Sequence, residues 1–172
     1  MEIRALQEGD DRSGFRSGDA DLDRFFLRFA GQNQFRHYVG VTYVAIEGAR
    51  VLGFATVAAG HLEIDRLTAA ARRGLPSYPL PVLRLARLAV DSTGQGRGIG
   101  SALLRYVLGL ALRMADDVGC IGVVVDAKAE ALGFYAKYGF VAIDAVEGRS
   151  DARPAPSLMF LSVTAIRKAL AR

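Results

Sequence analysis

The hydrophobic and polar positions in the first third of the chain change from helical spacing to strand spacing. A helix is predicted after Ser17 and Asp19, which are both suitable N-cap residues, and it should end near Gly31. Two β-rich runs, at 41–46 and 51–58, flank a short segment that contains a glycine. This is the pattern of two antiparallel strands joined in a hairpin.

The rest of the chain alternates between strand-like and helix-like patterns. The apolar run at 82–90 follows a proline-rich stretch and predicts a central strand. Nearly every position from 101 to 114 is apolar, which predicts a long buried helix. After it come a strand at 121–125, a helix at 130–138, strands at 140–143 and 158–163, a loop at 147–157 and a basic terminal helix. This order predicts an α/β fold with at least one right-handed crossover between parallel strands.

Length and composition favour one globular domain that spans residues 1–172. Hydrophobic residues make up 51% of the chain and charged residues 23%, which excludes a disordered chain, and no repeat suggests a solenoid. No stretch reaches the roughly 18 charge-free apolar residues of a membrane span, and the N-terminus lacks the apolar core of a signal peptide. A cytoplasmic protein without a membrane partner is therefore expected.

Positive charge is concentrated in one part of the chain, although the formal net charge is only +4. The range 66–113 contains eight arginines and one acid, Asp91, whereas the range 8–23 contains six acids and two arginines. A solvated surface is the ordinary explanation for both ranges. A one-sided set of arginines also attracts phosphate, either in a cofactor or in a nucleic acid.

The cysteine and the histidines give no sign of a metal site or a thiol site. Cys120 is the only cysteine, so no disulfide forms within the chain, and its neighbours indicate a buried strand edge and an inert thiol. His37 and His61 are candidates for a general base, but each is better explained as an ordinary surface or loop histidine. No cluster of His, Cys and carboxylates has the spacing of zinc ligands, so no metal is predicted.

A glycine-rich segment at residues 95–100 lies directly between the predicted central strand and the long predicted helix. Backbone N–H groups in such a position converge on an anion at the positive end of the helix, and glycines permit its close approach. The spacing is neither the G-x-G-x-x-G dinucleotide fingerprint nor the lysine-containing P-loop. The segment therefore predicts a phosphate site and disfavours a nucleotide hydrolase.

Two motifs give the chain a resemblance to the GNAT acetyltransferases. The pattern Q/R-x-x-G-x-G/A, which binds the pyrophosphate of acetyl-CoA in that family, is matched by Gln95, Gly98 and Gly100. The stretch 131–140 matches A-x-x-F-Y-x-x-x-G-F, whose helix packs beside the pantetheine arm in the family. The resemblance implies acetyl-CoA as cofactor and the GNAT fold, an α/β fold with a mixed central sheet of splayed strands flanked by helices. The cofactor-binding residues that it implies are Leu88, Ala89 and Val90 on the strand, Gln95, Gly96, Arg97, Gly98, Ile99, Gly100 and Ser101 on the loop and helix, and Phe134 downstream.

Tyr135 in the second motif takes the position of the tyrosine that commonly protonates the departing thiolate in GNAT enzymes. A phenol of pKa ~10 holds its proton at neutral pH and can donate it to a developing thiolate, whose pKa in the cysteine model is ~8.5. A core tyrosine on an apolar helix face is the alternative interpretation. The chain departs from the family at Lys128, where many members carry asparagine, so it has no amide for a cofactor contact there.

Further stretches narrow the resemblance to the GNAT toxins of bacterial toxin–antitoxin modules. They are residues 15–18, 22–26, 85–91 and 125–128. Those toxins acetylate the α-amino group of aminoacyl-tRNA and so block translation, which makes charged tRNA the expected substrate. Cations that bind the phosphates of its acceptor stem are expected at Arg72, Arg73, Arg84 and Arg87. Solvent-facing side chains or intramolecular ion pairs explain Arg84 and Arg87 equally well.

The resemblance to these toxins also implies a partner, a cognate antitoxin with a ribbon-helix-helix module and a disordered tail that wraps the toxin. The oligomeric state stays open, with a homodimer as one possibility.

An α-amine on an ester has a depressed pKa and is largely neutral near neutral pH, which suits a chain with no obvious catalytic base. The alternatives are a GNAT enzyme that acts on a small-molecule amine or a protein amine, and a binding module without activity.

Overall fold

Strands and helices alternate along most of the chain, which confirms the predicted α/β class. A computed structural model describes residues 1–63, 67, 69–143 and 157–171. The elements in chain order are β1 (Glu2–Ala5), α1 (Ala20–Arg24), α2 (Ala30–Phe35), β2 (Val41–Glu47), β3 (Arg50–Leu62), α3 (Ala69–Arg72), β4 (Leu80–Val90), α4 (Ile99–Asp117), β5 (Gly122–Ala127), α5 (Leu132–Lys137), β6 (Val141–Ala142), β7 (Ser157–Ser162) and α6 (Val163–Leu170). A π-helix, Phe25–Phe29, joins α1 to α2, and a 3₁₀ turn, Ala129–Ala131, precedes α5.

The strands of the described residues form a seven-stranded sheet in the order β1-β2-β3-β4-β5-β7-β6. Four of its neighbouring pairs are antiparallel, namely β1 with β2, β2 with β3, and β7 with both β5 and β6. The predicted hairpin is confirmed, because Val41 lies opposite Val57 and Glu47 lies opposite Arg50. Gly48 in the two-residue turn has a φ of 63°, which glycine adopts without strain and which short hairpin turns require.

The first compact unit comprises Met1–Ala58 and Leu85–Gly109 and is built around aromatic side chains. The rings of Phe26 and Phe54 stack with their centroids 4.3 Å apart, and both side chains are fully buried. Phe25 also packs on Phe54, with a centroid distance of 6.3 Å. An aromatic pair adds about 0.5–1.5 kcal/mol beyond the burial of its apolar area. These rings therefore hold the π-helix firmly against β3.

The helical segment of the first unit is longer than the sequence predicts. Asp19, rather than Ser17, caps α1, because its side chain accepts hydrogen bonds from two backbone N–H groups in the first turn. The helical conformation continues through the π-helix to Phe35, so the predicted end near Gly31 is wrong. A Cβ at Gly31 would come within 3.1 Å of the Arg12 guanidinium. This glycine therefore permits a close side-chain approach and does not stop the helix.

The second compact unit comprises Ala59–Arg84 and Leu110–Arg172 and has a mainly aliphatic core. Its strands β5 and β7 place Val124 opposite Phe160, and both side chains are buried. Cys120 is also buried, and burial raises the pKa of its thiol above the usual value. This supports the interpretation of Cys120 as an inert thiol.

Strand and helix boundaries shift by a few residues from the predicted ones. The strand β4 begins at Leu80 rather than at residue 82, and α4 extends beyond the apolar pattern to Asp117. The predicted loop at 147–157 lies, except for Ser157, outside the described residues. No helix in the described part of the chain is long and apolar enough to cross a membrane. The expectation of a single domain stays a prediction.

Candidate functional site

The glycine loop at residues 95–98 connects β4 to α4, as the sequence predicts. Gly96 and Gly98 have φ values of 80° and 79°, in the left-handed region that other residues rarely adopt. All residues of the loop are exposed, and the oxygen of Gly98 accepts a helical hydrogen bond from the N–H of Ala102 at 3.0 Å. The loop therefore presents an exposed backbone at the N-terminus of a 19-residue helix, where the helix dipole favours an anion.

Asp91, directly after β4, connects the glycine loop to the N-terminal segment. Its buried carboxylate accepts hydrogen bonds from the backbone N–H groups of Arg16 and Thr93, at 2.9 and 3.0 Å, and from the Thr93 hydroxyl. The Nη2 atom of Arg50 lies 3.3 Å from the same carboxylate. Burial opposes ionisation, but these hydrogen bonds and the Arg50 charge outweigh it and hold the pKa of Asp91 below its usual value.

Two side chains of the loop make contacts within the protein. The side-chain amide of Gln95 donates to the backbone oxygens of Ser17 and Val90, at 2.9 and 3.1 Å. The Nη2 atom of Arg97 lies 3.0 Å from Glu47 Oε2 at the end of β2. Both contacts hold the loop in place. Because the amide of Gln95 is engaged in this way, its backbone N–H is the group left for the predicted cofactor contact.

The other predicted cofactor residues of the first unit flank the glycine loop. Ala89 belongs to the aromatic core, whereas Leu88 and Val90 on either side of it are half-buried. Because side chains alternate along a strand, Leu88 and Val90 lie on the opposite face of β4 from Ala89. Ile99 is buried at the start of α4, and the two residues after it are half-buried in the first turn.

Tyr135 lies on α5, in the second unit, among aromatic rings. Its ring centroid is 5.1 Å from that of Phe134 and 5.4 Å from that of Phe140, both in edge-to-face geometry. The residue is 5% exposed, and its burial raises the pKa of Tyr135 to about 12. The side chain is therefore a buried phenol that keeps its proton throughout the physiological pH range.

The residues around Tyr135 include the other predicted positions of the second motif. Phe134 is half-buried, and its ring centroid is 5.5 Å from that of Tyr138. Lys128 is exposed at the N-cap position of the 3₁₀ turn. The place where many family members carry asparagine is thus occupied here by an exposed lysine.

The predicted substrate arginines of the second unit have different surroundings. Arg72 ends α3 and Arg73 follows it, and both residues are exposed. Arg84 on β4 pairs with Asp126 on β5, with 2.7 Å between Nη1 and Oδ2 and with side chains that are 39% and 48% exposed. Arg84 thus forms an intramolecular ion pair, which is one of the ordinary explanations offered for it above.

Arg87, the remaining predicted substrate arginine, belongs to the first unit. Its guanidinium lies over the ring of Phe25, with Cζ 3.7 Å from the ring centroid. The residue as a whole is exposed, although burial against the protein lowers the pKa of Arg87 from its usual value. Among the residues that the structure describes, no carboxylate is paired with it. Arg87 is thus held by an aromatic ring and not by an ion pair.

The histidines and carboxylates of the described residues form no metal-binding cluster. His37 and His61 are both exposed, as the surface interpretation expects. No group of three or more His, Cys, Asp and Glu side chains in the described ranges is arranged to hold a metal ion. A cavity of about 330 Å³ lies in the first unit, lined by Asp11, Gly14, Phe15, Ala49, Arg50 and Val51. None of the predicted cofactor or substrate residues lines this cavity.

The contacts that hold the glycine loop were missed at the level of the sequence. They join residues 50 or more positions apart, so no local pattern encodes them. The pairs are Asp91 with Arg16, Gln95 with Ser17, and Arg97 with Glu47. The one available signal was Asp91, because it is the single acid among the arginines of the range 66–113.

Residues 39–142 match the model of the GNAT acetyltransferase domain. That range contains the glycine loop and Tyr135, and it extends from two residues before β2 to the end of β6. A tRNA-acetylating toxin from Mycobacterium tuberculosis (strain ATCC 25618 / H37Rv) is 36% identical over 140 residues, which cover 80% of this chain and 82% of that protein. The family match includes the two motifs on which the resemblance to acetyltransferases rests.

Solved structures share the fold over nearly the whole chain. AtaT complexed with acetyl-methionyl-tRNAfMet superposes with a TM-score of 0.84 at 22% identity, over 98% of each chain. A tyrosine-to-phenylalanine mutant of AtaT, bound to the C-terminus of the antitoxin AtaR and acetyl-CoA, gives a TM-score of 0.79 at 22% identity, over 99% of this chain and 98% of that one. These matches confirm the GNAT fold with a mixed seven-stranded sheet flanked by helices. The chain belongs to the GNAT acetyltransferase family.

Proposed function

We propose that this chain is a cytoplasmic, acetyl-CoA-dependent N-acetyltransferase that acetylates the α-amino group of aminoacyl-tRNA and thereby blocks translation. The observation that carries the proposal is the 36% identity, over 80% of the chain, to a protein named tRNA-acetylating toxin. AtaT, which shares the fold, is complexed with acetyl-methionyl-tRNAfMet in one solved structure, and a mutant of AtaT is bound to acetyl-CoA in another. In this proposal the whole chain acts as one acetyltransferase domain.

Residues 95–101 are proposed to bind the pyrophosphate of acetyl-CoA through their backbone. A Cβ added at Gly96 or Gly98 would meet no protein atom within 4 Å, so the space beside each glycine is open to a ligand. Leu88, Ala89 and Val90 are proposed to pair their backbone with the pantetheine arm, as a neighbouring strand would, and Phe134 to pack beside it. The bound cofactor supplies an acetyl group that is already activated as a thioester.

Tyr135 is proposed to hold the proton that the departing thiolate accepts. Its pKa of about 12 means that the phenol form is fully populated at neutral pH. The attacking amine loses one proton during acetyl transfer and the thiolate gains one, so no net proton is consumed. A phenylalanine at this position would preserve the aromatic packing with Phe134 and Phe140 and remove the proton.

The proposed acceptor amine suits a site without a strong general base. An α-amine whose carboxyl group is esterified has a lower pKa than a lysine amine of pKa ~10.4, so it carries a free electron pair at neutral pH. His37 and His61 are exposed and are assigned no part in the reaction. A protein lysine or a polyamine would arrive protonated and would need a base to deprotonate it.

Arg72, Arg73, Arg84 and Arg87 are proposed to contact the tRNA, with Arg72, Arg73 and Arg84 on its phosphates. Such contacts make binding sensitive to salt, because each neutralised phosphate releases counterions. The same exposed cations suit a partner with an acidic tail, and we propose an antitoxin of the ribbon-helix-helix type for that role. AtaR, the antitoxin of AtaT, is bound through its C-terminus in the related complex.

The proposal is tested by incubating the purified protein with acetyl-CoA and total charged tRNA and then identifying the acetylated product by mass spectrometry. N-acetylated aminoacyl-tRNA is the expected product. Free amino acids, polyamines and lysine peptides are assayed in parallel at matched amine concentrations. Efficient acetylation of any of these small amines, with charged tRNA inert, would overturn the tRNA assignment and leave the family assignment intact.

A further inference from the structure

We infer that Arg87, held against Phe25, is the surface on which the 3′-terminal adenine of the charged tRNA stacks. This inference rests on the proposed function, because a charged tRNA carries its amino acid on the ribose of a 3′-terminal adenosine. It assigns Arg87 to one nucleobase, whereas phosphate contact alone would assign it to the backbone.

The geometry of the pair makes Arg87 a fixed planar surface. Its Cζ lies over the ring of Phe25 at 3.7 Å from the centroid, which is van der Waals contact distance and well inside the reach of a cation–π interaction. Phe25 itself is 6% exposed and packs on Phe54, so the ring that supports the guanidinium is anchored in the core. A long side chain held in this way loses less freedom when a ligand binds than a solvated arginine would.

The charge of Arg87 is also available to a ligand. Arg84, three residues earlier on the same strand, has Asp126 as an ion-pair partner 2.7 Å away. No carboxylate among the described residues is paired with Arg87, and the residue is exposed. Phe25 covers one face of the guanidinium, so a second planar group is expected to stack on the other face. Proteins commonly bind single-stranded RNA ends by stacking the RNA bases on aromatic rings or on the planes of arginine guanidinium groups.

The position of Arg87 on β4 determines which part of the tRNA it can reach. The glycine loop follows β4, so a pantetheine arm that pairs with residues 88–90, as proposed above, would have its thioester end toward Arg87. The amine that attacks the thioester is joined through the amino acid ester to the terminal ribose and its adenine. The phosphates of the double-stranded acceptor stem lie several nucleotides farther away. The group that arrives beside Arg87 is therefore the terminal nucleoside.

The test compares two charged RNAs that carry the same amino acid, one with the normal 3′-terminal adenosine and one in which hydrogen replaces that adenine. The values of kcat/KM are measured for the wild type and for Arg87→Lys, which keeps the charge and removes the planar guanidinium. The wild type should lose about tenfold or more on the RNA without the adenine. Arg87→Lys should show a loss of similar size on the normal RNA and should respond little to removal of the adenine.

Two further variants and one binding measurement separate stacking from general effects. Phe25→Leu keeps an apolar side chain below the guanidinium but removes the flat ring, and it should also weaken the response to the adenine. Arg105→Lys, at an exposed arginine of α4, is the matched control and should behave as the wild type. The acetyl-CoA affinity of every variant, measured by calorimetry, should equal that of the wild type.

The inference is overturned if Arg87→Lys slows both RNAs by the same factor, since Arg87 would then contact a phosphate or the amino acid. It is overturned equally if Arg87→Lys slows neither RNA. A wild type that acetylates both RNAs at the same rate contradicts the inference and leaves the proposed function in place. A wild type that acetylates neither RNA contradicts both.

Discussion

The carboxylate of Asp91 accepts a hydrogen bond from the backbone N–H of Arg16, which lies 2.9 Å away and 75 residues earlier in the chain. The backbone N–H of Ser92 in turn donates to the oxygen of Arg16 at 2.7 Å. These two bonds join the N-terminal segment to the end of β4, from which the glycine loop begins. The conformation of the loop therefore depends on a segment that is far from it in the sequence.

Replacement of Asp91 by asparagine is expected to lower the free energy of unfolding by about 1–3 kcal/mol at neutral pH. An asparagine has nearly the same shape, but it lacks the charge that the N–H groups of Arg16 and Thr93 and the guanidinium of Arg50 contact. Urea denaturation measures the difference. Asp117→Asn, at an exposed acid of α4, is the control and should change the stability by less than about 0.5 kcal/mol.

The wild type and Asp91→Asn should also differ in how their stability responds to acid. Burial raises the pKa of Asp91, but the hydrogen bonds from Thr93 and Arg16 and the charge of Arg50 lower it by a larger amount. The pKa of Asp91 in the folded protein therefore lies below its value in the unfolded chain. The ionised carboxylate thus stabilises the fold above the unfolded pKa of about 3.9, and this contribution is lost as the pH falls through the folded pKa. The stability gap between wild type and Asp91→Asn should shrink below about pH 4. A gap that stays constant there would contradict a role for the charge.

Gly98→Val is expected to abolish acetyl-CoA binding. The φ of Gly98 is 79°, and a β-branched residue adopts such a value only with strain, so the loop must change its conformation. Calorimetric titration with acetyl-CoA measures the affinity, and circular dichroism checks that the variant is folded. Gly109→Ala lies inside α4, where an added Cβ meets no atom within 4 Å, and it serves as the control with unchanged affinity. An unchanged affinity in folded Gly98→Val would remove the cofactor assignment.

Local features of the fold and of the site could be predicted from the sequence, because each depends on a few consecutive residues. The glycines of the loop, the N-cap role of Asp19 and the hairpin turn at Gly48 are of this kind. The sequence predicts a helix end near Gly31, which makes the first helix too short. The reason for this glycine is the nearby Arg12 guanidinium, a contact that its neighbours in sequence do not reveal. The stacking of Arg87 on Phe25 was missed for the same reason, since it joins a strand to a π-helix.

Tyr135→Phe is expected to lower kcat by about 100-fold or more while acetyl-CoA affinity is retained. The phenylalanine keeps the edge-to-face contacts with Phe134 and Phe140 and removes the proton that the thiolate accepts. Steady-state kinetics with charged tRNA measure kcat. Tyr138→Phe, which removes a hydroxyl from a half-buried ring beside the same helix, is the matched control. Equal turnover in Tyr135→Phe and the wild type would return Tyr135 to a role in core packing.

The pKa of Tyr135 adds a prediction about alkaline pH. Because burial raises it to about 12, ionisation of this phenol removes no activity at ordinary assay pH. The plot of kcat against pH should therefore show no decline attributable to Tyr135 below about pH 10. A decline that begins below that pH in the wild type, and is absent from the residual activity of Tyr135→Phe, would contradict a phenol buried in this way.

Arg84→Glu is expected to raise the KM for aminoacyl-tRNA and to leave the affinity for acetyl-CoA unchanged. A cation that contacts a phosphate contributes to the salt dependence of binding, so the variant should show a shallower fall of affinity with salt. The substitution also places two acids together, because Arg84 Nη1 lies 2.7 Å from Asp126 Oδ2. The kinetics of this single variant therefore combine loss of a phosphate contact with repulsion between β4 and β5.

Exchange of the two residues separates these effects. The double variant Arg84→Asp with Asp126→Arg restores an ion pair between the strands but moves the cation from β4 to β5. The pair itself is partly exposed, with side chains 39% and 48% accessible, so it contributes at most about 1 kcal/mol to stability. If Arg84 contacts a phosphate, the exchanged protein should be as stable as the wild type and still use charged tRNA poorly at low salt. If the exchange restores full use of charged tRNA, Arg84 acts through its pairing with Asp126, and the phosphate contact proposed for it is wrong.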